Sequence, residues 1–349
     1  MKKSLLVLFS VWMTLPLAVQ AQDPQFSQFY AAPLYLNPAF AGATQQTRVG
    51  LNYRNQWPSI EANFITTSAY IDHFIEDKNS GIGLLIMRDR EGQAGLKSTS
   101  VGLQYAYQLY ITDWLTFRPG VQVAWFNRNI NFADLTFGNQ FNPDTGEIDG
   151  SRDSGEEFGG LSKNFFDLSF GGILYTGNAW LGVAAHHLNT PNQAFDDGSE
   201  PNELPTKLSF HGGVKILFKP GVMGSGFYAR PQERSLSPTF QYKTQGEFDQ
   251  LDLGLYLTLE PLIFGAWYRG LPFKSLEGFN NNESIVMLVG FTKKRPNDVL
   301  NIGYSYDYTI SRLGAGSGGA HEVSISYSWS TKDPRKPPKH VMQIPCPDF

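Results

Sequence analysis

The chain has a single cysteine, Cys346, three residues before its C-terminal Phe349. One thiol in 349 residues leaves no internal disulfide, which excludes the stapled extracellular scaffolds. Charge is sparse as well: 17% of residues are Asp, Glu, Lys or Arg, and the net charge of −4 argues against nucleic acid as a partner. Beyond residue 21 there is no uninterrupted apolar run of about 18 residues, so no membrane-spanning helix is expected. Catalytic signatures are missing too, with no G-x-S-x-G, H-E-x-x-H or P-loop. His186 and His187 are adjacent in a strand pattern, which would turn them to opposite faces and prevent them from chelating one metal. No enzyme activity, cofactor or metal site is expected.

What is present begins with a leader. Lys2 and Lys3 precede an apolar run from Leu5, and small residues end it at Ala21, which predicts a secretory signal cut between Ala21 and Gln22. No Cys follows the cut, so the chain is not a bacterial lipoprotein.

The remainder alternates with period 2. Val323, Ile325, Tyr327 and Trp329 are spaced by serines, and Leu300, Ile302, Tyr304, Tyr306, Tyr308 and Ile310 by small or polar residues. This is the pattern of strands with one apolar and one polar face. Fourteen such segments start near Arg48, Phe64, Gly81, Ser98, Leu115, Phe165, Ala179, Lys207, Ser237, Leu251, Leu262, Ser284, Leu300 and His321. An even count with alternating short and long connections predicts an all-β protein, a transmembrane antiparallel β-barrel of about 14 strands over 47–330 in an outer membrane. Both termini would then be periplasmic. Trp57, Trp114, Trp125, Trp180, Trp267 and Trp329 lie near strand ends, as in aromatic girdles at the two lipid interfaces. The loop 127–164 has seven acids against three bases; it does not match an EF-hand and reads as a solvated acidic loop.

Residues 22–46 form an unusual lead segment, with one charge, Asp23, and five aromatics, Phe26, Phe29, Tyr30, Tyr35 and Phe40. Asn37-Pro38 and Ala41-Gly42 are turn chemistry that would bring the segment round against the periplasmic mouth. There it would act as a plug, as a surface for partners, or as both. A Pro-bearing tail, 331–349, would emerge on the same side. Arg54, Asp252, Asp307 and Glu322 sit on polar strand faces and should point into the lumen, because charges facing lipid are costly. The lumen itself leaves two functions open, a dedicated protein-secretion component or a channel for small or hydrophobic solutes.

"PLYLNPAFAG" followed by "YRNQW", and the closing "GYSYDYTISRLGAGSGGAHEVSISY", resemble the PorP/SprF family of the type IX secretion and gliding system of Bacteroidetes. The tail "IPCPDF" is similar to that family's ending more loosely. The resemblance implies a barrel of about fourteen strands working with type IX translocon components. It also implies a secreted surface protein, carrying a C-terminal export domain, as partner.

Overall fold

A computed structural model describes residues 23–330, except 62, 93–94, 131–137, 143–144, 146–147, 149–161, 196–200, 219–220, 224–229, 277–278 and 312–313, and then residues 342–347. The leader with its Ala21–Gln22 cut, most of the acidic loop and the first half of the tail lie outside the described residues.

Fourteen strands form the wall: β1 (Thr47–Gln56), β2 (Phe64–Ile75), β3 (Ser80–Glu91), β4 (Leu96–Tyr107), β5 (Thr116–Asn129), β6 (Ser162–Tyr175) and β7 (Ala179–His186), then β8 (Lys207–Val214), β9 (Arg234–Gln245), β10 (Phe248–Leu259), β11 (Leu262–Leu276), β12 (Phe279–Lys294), β13 (Asp298–Thr309) and β14 (Ala320–Trp329). Each pairs antiparallel with its sequence neighbour, and β1 pairs with β14, Thr47 opposite Trp329 and Gln56 opposite Ala320. Closure removes every sheet edge, which a wall facing lipid requires because an unpaired backbone group there costs several kcal/mol. The expected starts hold. The largest difference is at β12, which begins at Phe279, five residues before the expected start at Ser284.

The alternation decides which face is which. On β14, Val323, Ile325 and Tyr327 are exposed while Glu322, Ser324, Ser326 and Ser328 are buried. On β4 and β5, Leu103, Val121 and Val123 face out over buried Gln104 and Gln122. Polar residues inside and large apolar ones outside invert the pattern of a water-soluble domain, as a lipid-facing band demands.

The mouth where β1 begins and β14 ends is called here the near mouth, the other the far mouth. Turns at the near mouth are tight, as at Glu260-Pro261, except between β8 and β9, where Ile216–Leu217 pairs with β9 and Gly221–Met223 pairs with Arg230–Gln232. The girdle assignment needs correction at two of the six tryptophans. Trp180 and Trp267 are 3% exposed and point into the lumen, because each sits at an inward position of its strand.

Candidate functional site: a lumen filled by the chain's own ends

The lead segment does not fold against the near mouth. It runs through the lumen. Asp23 meets the far-mouth ends of β8 and β9, with its carboxylate 2.5 Å from Lys207 Nζ and its backbone N–H donating to Gln245 Oε1 at 3.1 Å. Gln45, at the other end, lies by the near mouth just before β1. Asp23 and the tail residues 342–347 therefore lie at opposite mouths, which corrects the expectation that both ends of the chain emerge on one side. The fold-back inferred from Asn37-Pro38 and Gly42 happens, but inside the wall. The reversal at Gly42, with φ of 69°, sends the chain from the lumen into β1.

Local sequence sets the segment's form. Pro33 opens a single helical turn, Pro33–Leu36, and Pro38 a 3-10 turn, Pro38–Phe40, each at the first position where the missing N–H costs nothing. Asn37 caps the second turn, its Oδ1 accepting from the Ala39 N–H at 2.9 Å, and its amide also donates to the Val183 carbonyl at 3.0 Å. Such short turns leave many backbone groups unpaired, and the polar wall supplies the partners. Gln104 donates to Leu34 O (2.7 Å), Arg118 Nε to Ala39 O (2.8 Å) and Tyr70 Oη to Ala31 O (3.2 Å), while Asp72 accepts from the Gly42 N–H (2.8 Å).

The wall is also shaped for the segment. A Cβ on Gly81, Gly120 or Gly171 would overlap Ala41, Ala39 or Asn37 respectively. Glycine at these inward positions lets the segment lie directly on the backbone of β3, β5 and β6.

The five aromatics are all in this interior. Phe26, Phe29, Tyr30 and Phe40 are 1–4% exposed. Tyr30 accepts from Trp180 Nε1 at 2.8 Å, Phe29 packs edge-on against Trp267, and Phe40 stacks on His211. Phe26 packs edge-on against Tyr35, which takes a hydrogen bond from Lys207. These rings fill the barrel. Burial leaves Phe26, Phe29, Tyr30 and Phe40 unavailable as a surface for partners in this conformation, as it does Asn37 and Pro38, while Tyr35 is half-buried.

The four predicted luminal charges also point inward, and three of them converge on Ser27. Its N–H donates to Glu322 Oε2 (2.6 Å), its Oγ donates to Asp307 Oδ2 (2.5 Å), and Arg54 Nη1 donates to that Oγ (2.5 Å). Asp252 joins through Arg269, whose Nε is 2.7 Å from Asp252 and whose Nη1 is 3.0 Å from Asp307. Arg269 is fully buried and was not anticipated from the sequence, although it lies directly opposite Asp252 in the β10–β11 register.

At the far mouth a second cluster holds Asp23. His187 lies just beyond β7 with φ of 59°, and this left-handed turn brings its ring inside beside that of His186, contrary to the opposite faces expected of a continuous strand. His187 reaches Asp23 at 2.8 Å and Asp167 at 2.7 Å. Burial would lower its pKa, but Asp23 and Asp167 outweigh that and hold it at about 9, while Asp23, despite burial, is held well below the usual aspartate range by His187 and Lys207. A histidine raised in the fold contributes stability fully below its ordinary value of 6.5 and loses it as pH rises through about 9. The Asp23 contribution runs the other way, present above its ordinary value of 3.8 and lost as pH falls below it. A spin label on Pro24→Cys, in a Cys346→Ser background, should therefore be more mobile near about pH 10, where only the Lys207 pair holds Asp23, than near about pH 7, and Asp23→Asn should free it at both. A label equally immobile at the higher pH would show that His187 adds nothing to the hold, and one as immobile in Asp23→Asn as in the parent would show that this cluster does not hold the segment's end.

The near mouth is occupied by the tail. Met342 O accepts from Gln45 (3.0 Å), Gln108 (3.4 Å) and Tyr175 (3.3 Å), and Ile344 is buried. Cys346 forms no disulfide.

The family model of the type IX secretion system membrane protein PorP/SprF matches residues 18–327. No curated protein matches the chain. The toluene transporter TbuX of Ralstonia pickettii is similar in structure at 14% identity and a TM-score of 0.46, over 86% of this chain and 93% of that one. A Pseudomonas aeruginosa FadL homologue is similar at 12% identity and 0.44, over 86% and 94%.

Proposed function

The chain belongs to the PorP/SprF family of type IX secretion system membrane proteins, and from that premise we propose that it aids export or surface attachment of a secreted partner protein. In this reading it is a non-enzymatic outer-membrane component of the secretion and gliding machinery, and its partner carries a C-terminal export domain. The observation that supports it over solute conduction is the filled lumen: residues 23–46 occupy it from the far mouth down, and residues 342–347 sit in the near mouth. A dedicated channel needs a free path, whereas a protein that docks others needs a rigid wall and exposed loops. The near mouth, with tight turns, a short hairpin and the tail, is assigned to the periplasm, and the long far-mouth connections to the outside.

Deleting the chain from its host should abolish surface display of one or a few secreted proteins and leave small-solute uptake unchanged. Altered uptake with a normal surface proteome would transfer support to the channel reading.

A further inference from the structure

Between the lead segment and β8–β10, close to the far mouth, the lumen keeps a cavity of about 300 Å³. That is within the range of small-molecule sites. Its walls divide by chemistry. One side is apolar, with Phe26, Phe29 and Leu36 from the lead segment. The other side carries Ser209 and Lys243, which face each other across the β8–β9 register.

These two groups have unspent hydrogen-bonding capacity. Ser209 Oγ is 3% exposed as a residue and has no hydrogen-bond partner. Lys243 Nζ donates to Gln25 Oε1 at 2.9 Å and forms no ion pair among the described residues. The carboxylates around the cavity are already engaged: Asp23 by His187 and Lys207, Glu283 by the Gln25 amide at 2.9 Å, and Asp249 by Tyr242 at 3.2 Å. What remains is the Lys243 ammonium, the Ser209 hydroxyl and the unpartnered Nε2 of His186, facing an aromatic wall across a space holding about ten water volumes. A half-buried cation with no ion pair gains one when a carboxylate binds, and the ligand's apolar body covers the rings at the same time.

We propose that this cavity is a binding site for a small amphipathic carboxylate, with its head group on Lys243 Nζ and Ser209 Oγ and its apolar body against Phe26 and Phe29. Single-ring or short aliphatic acids fit the volume. The inference is independent of the secretion reading, since it rests on the lumen of this chain alone.

Isothermal titration of the full-length folded barrel with 3-phenylpropionate, its neutral amide and acetate tests it. The carboxylate should bind, with the amide at least about tenfold weaker and acetate undetectable, because each lacks one half of the recognition. Lys243→Met should weaken the carboxylate at least about tenfold and bring it level with the amide, and Ser209→Ala should weaken it several-fold while leaving heat-modifiability intact. Retention of a folded barrel in at least one variant keeps the comparison valid. Equal binding of acid and amide by the parent, no binding of either, or binding untouched by both substitutions overturns the proposal.

Discussion

Deleting residues 23–41 should turn a sealed barrel into a conducting one. The wall pairs only with itself, through a closed ladder of fourteen strands that the deletion leaves intact. Each of the five lost aromatics forfeits roughly 1.5–3 kcal/mol of burial. Opening the ladder in lipid would cost several kcal/mol for every unpaired backbone group, so assembly should survive. The side chains uncovered include Gln104, Arg118 and Glu322, which water solvates readily once the carbonyls and N–H groups they served are gone. Gly81, Gly120 and Gly171 would then leave a bare strip down one side of the lumen. Barrels of about 8 strands are filled by their own side chains and those of about 16 hold water, so fourteen without a plug belongs with the open class. In planar bilayers the parent should show no current steps and the deletion variant discrete ones. A variant truncated after Ser330 should stay closed, because the lead segment alone spans the lumen. A folded, heat-modifiable deletion variant that remains silent would mean that the wall closes on itself without the plug.

The wall was legible in the sequence because its alternation is a direct imprint of two solvents. Between Glu322 and Ser328 every outward position of β14 is Val, Ile or Tyr and every luminal one is Glu or Ser, so period and facing follow from one observation. Hairpin register was legible too. The tight turn at Glu260-Pro261 places Asp252 opposite Arg269, so the missed arginine was readable by counting outward from the turn. The meeting of Arg54 with Glu322 was not, because it depends on how β1 closes on β14, and no local turn sets that register. The path of the lead segment was hidden for a related reason. Its prolines and Gly42 announce turns but not the compartment in which they occur. The complementary signal, inward glycines on β3, β5 and β6, is spread over three distant strands. The tryptophans misled because nearness to a strand end does not fix facing. At Trp180 and Trp267 the parity of the strand turns the ring inward, toward Tyr30 and Phe29.

Replacing Arg269 with Met should destabilise the folded barrel by about 3–5 kcal/mol, the usual cost of breaking a buried ion pair from one side. The guanidinium is fully buried and serves three acceptors: Asp252 at 2.7 Å, Asp307 at 3.0 Å and Ser27 Oγ at 3.2 Å. Methionine matches much of its bulk, so little of the loss should come from a void. Charge is the dominant effect. Asp252 would keep only the Gln250 amide at 2.9 Å, and Asp307 would depend on Arg54 and Ser27. The cluster of Asp252, Asp307 and Glu322 against Arg54 and Arg269 would move from one uncompensated carboxylate to two. The double variant Arg269→Met with Asp252→Asn removes the orphaned charge and should recover a large part of the loss, because an amide is far less costly to bury than an unpaired carboxylate. Ser27 binds both arginines, so the single variant should also loosen the lead segment, which labelling at Pro24 would report as increased mobility at neutral pH. Urea midpoints of the barrel folded in vesicles give the comparison. A shift for Arg269→Met below about 1 kcal/mol would place the pair with weakly contributing surface bridges, and a double variant no better than the single one would show that Asp252 is not the group the arginine stabilises.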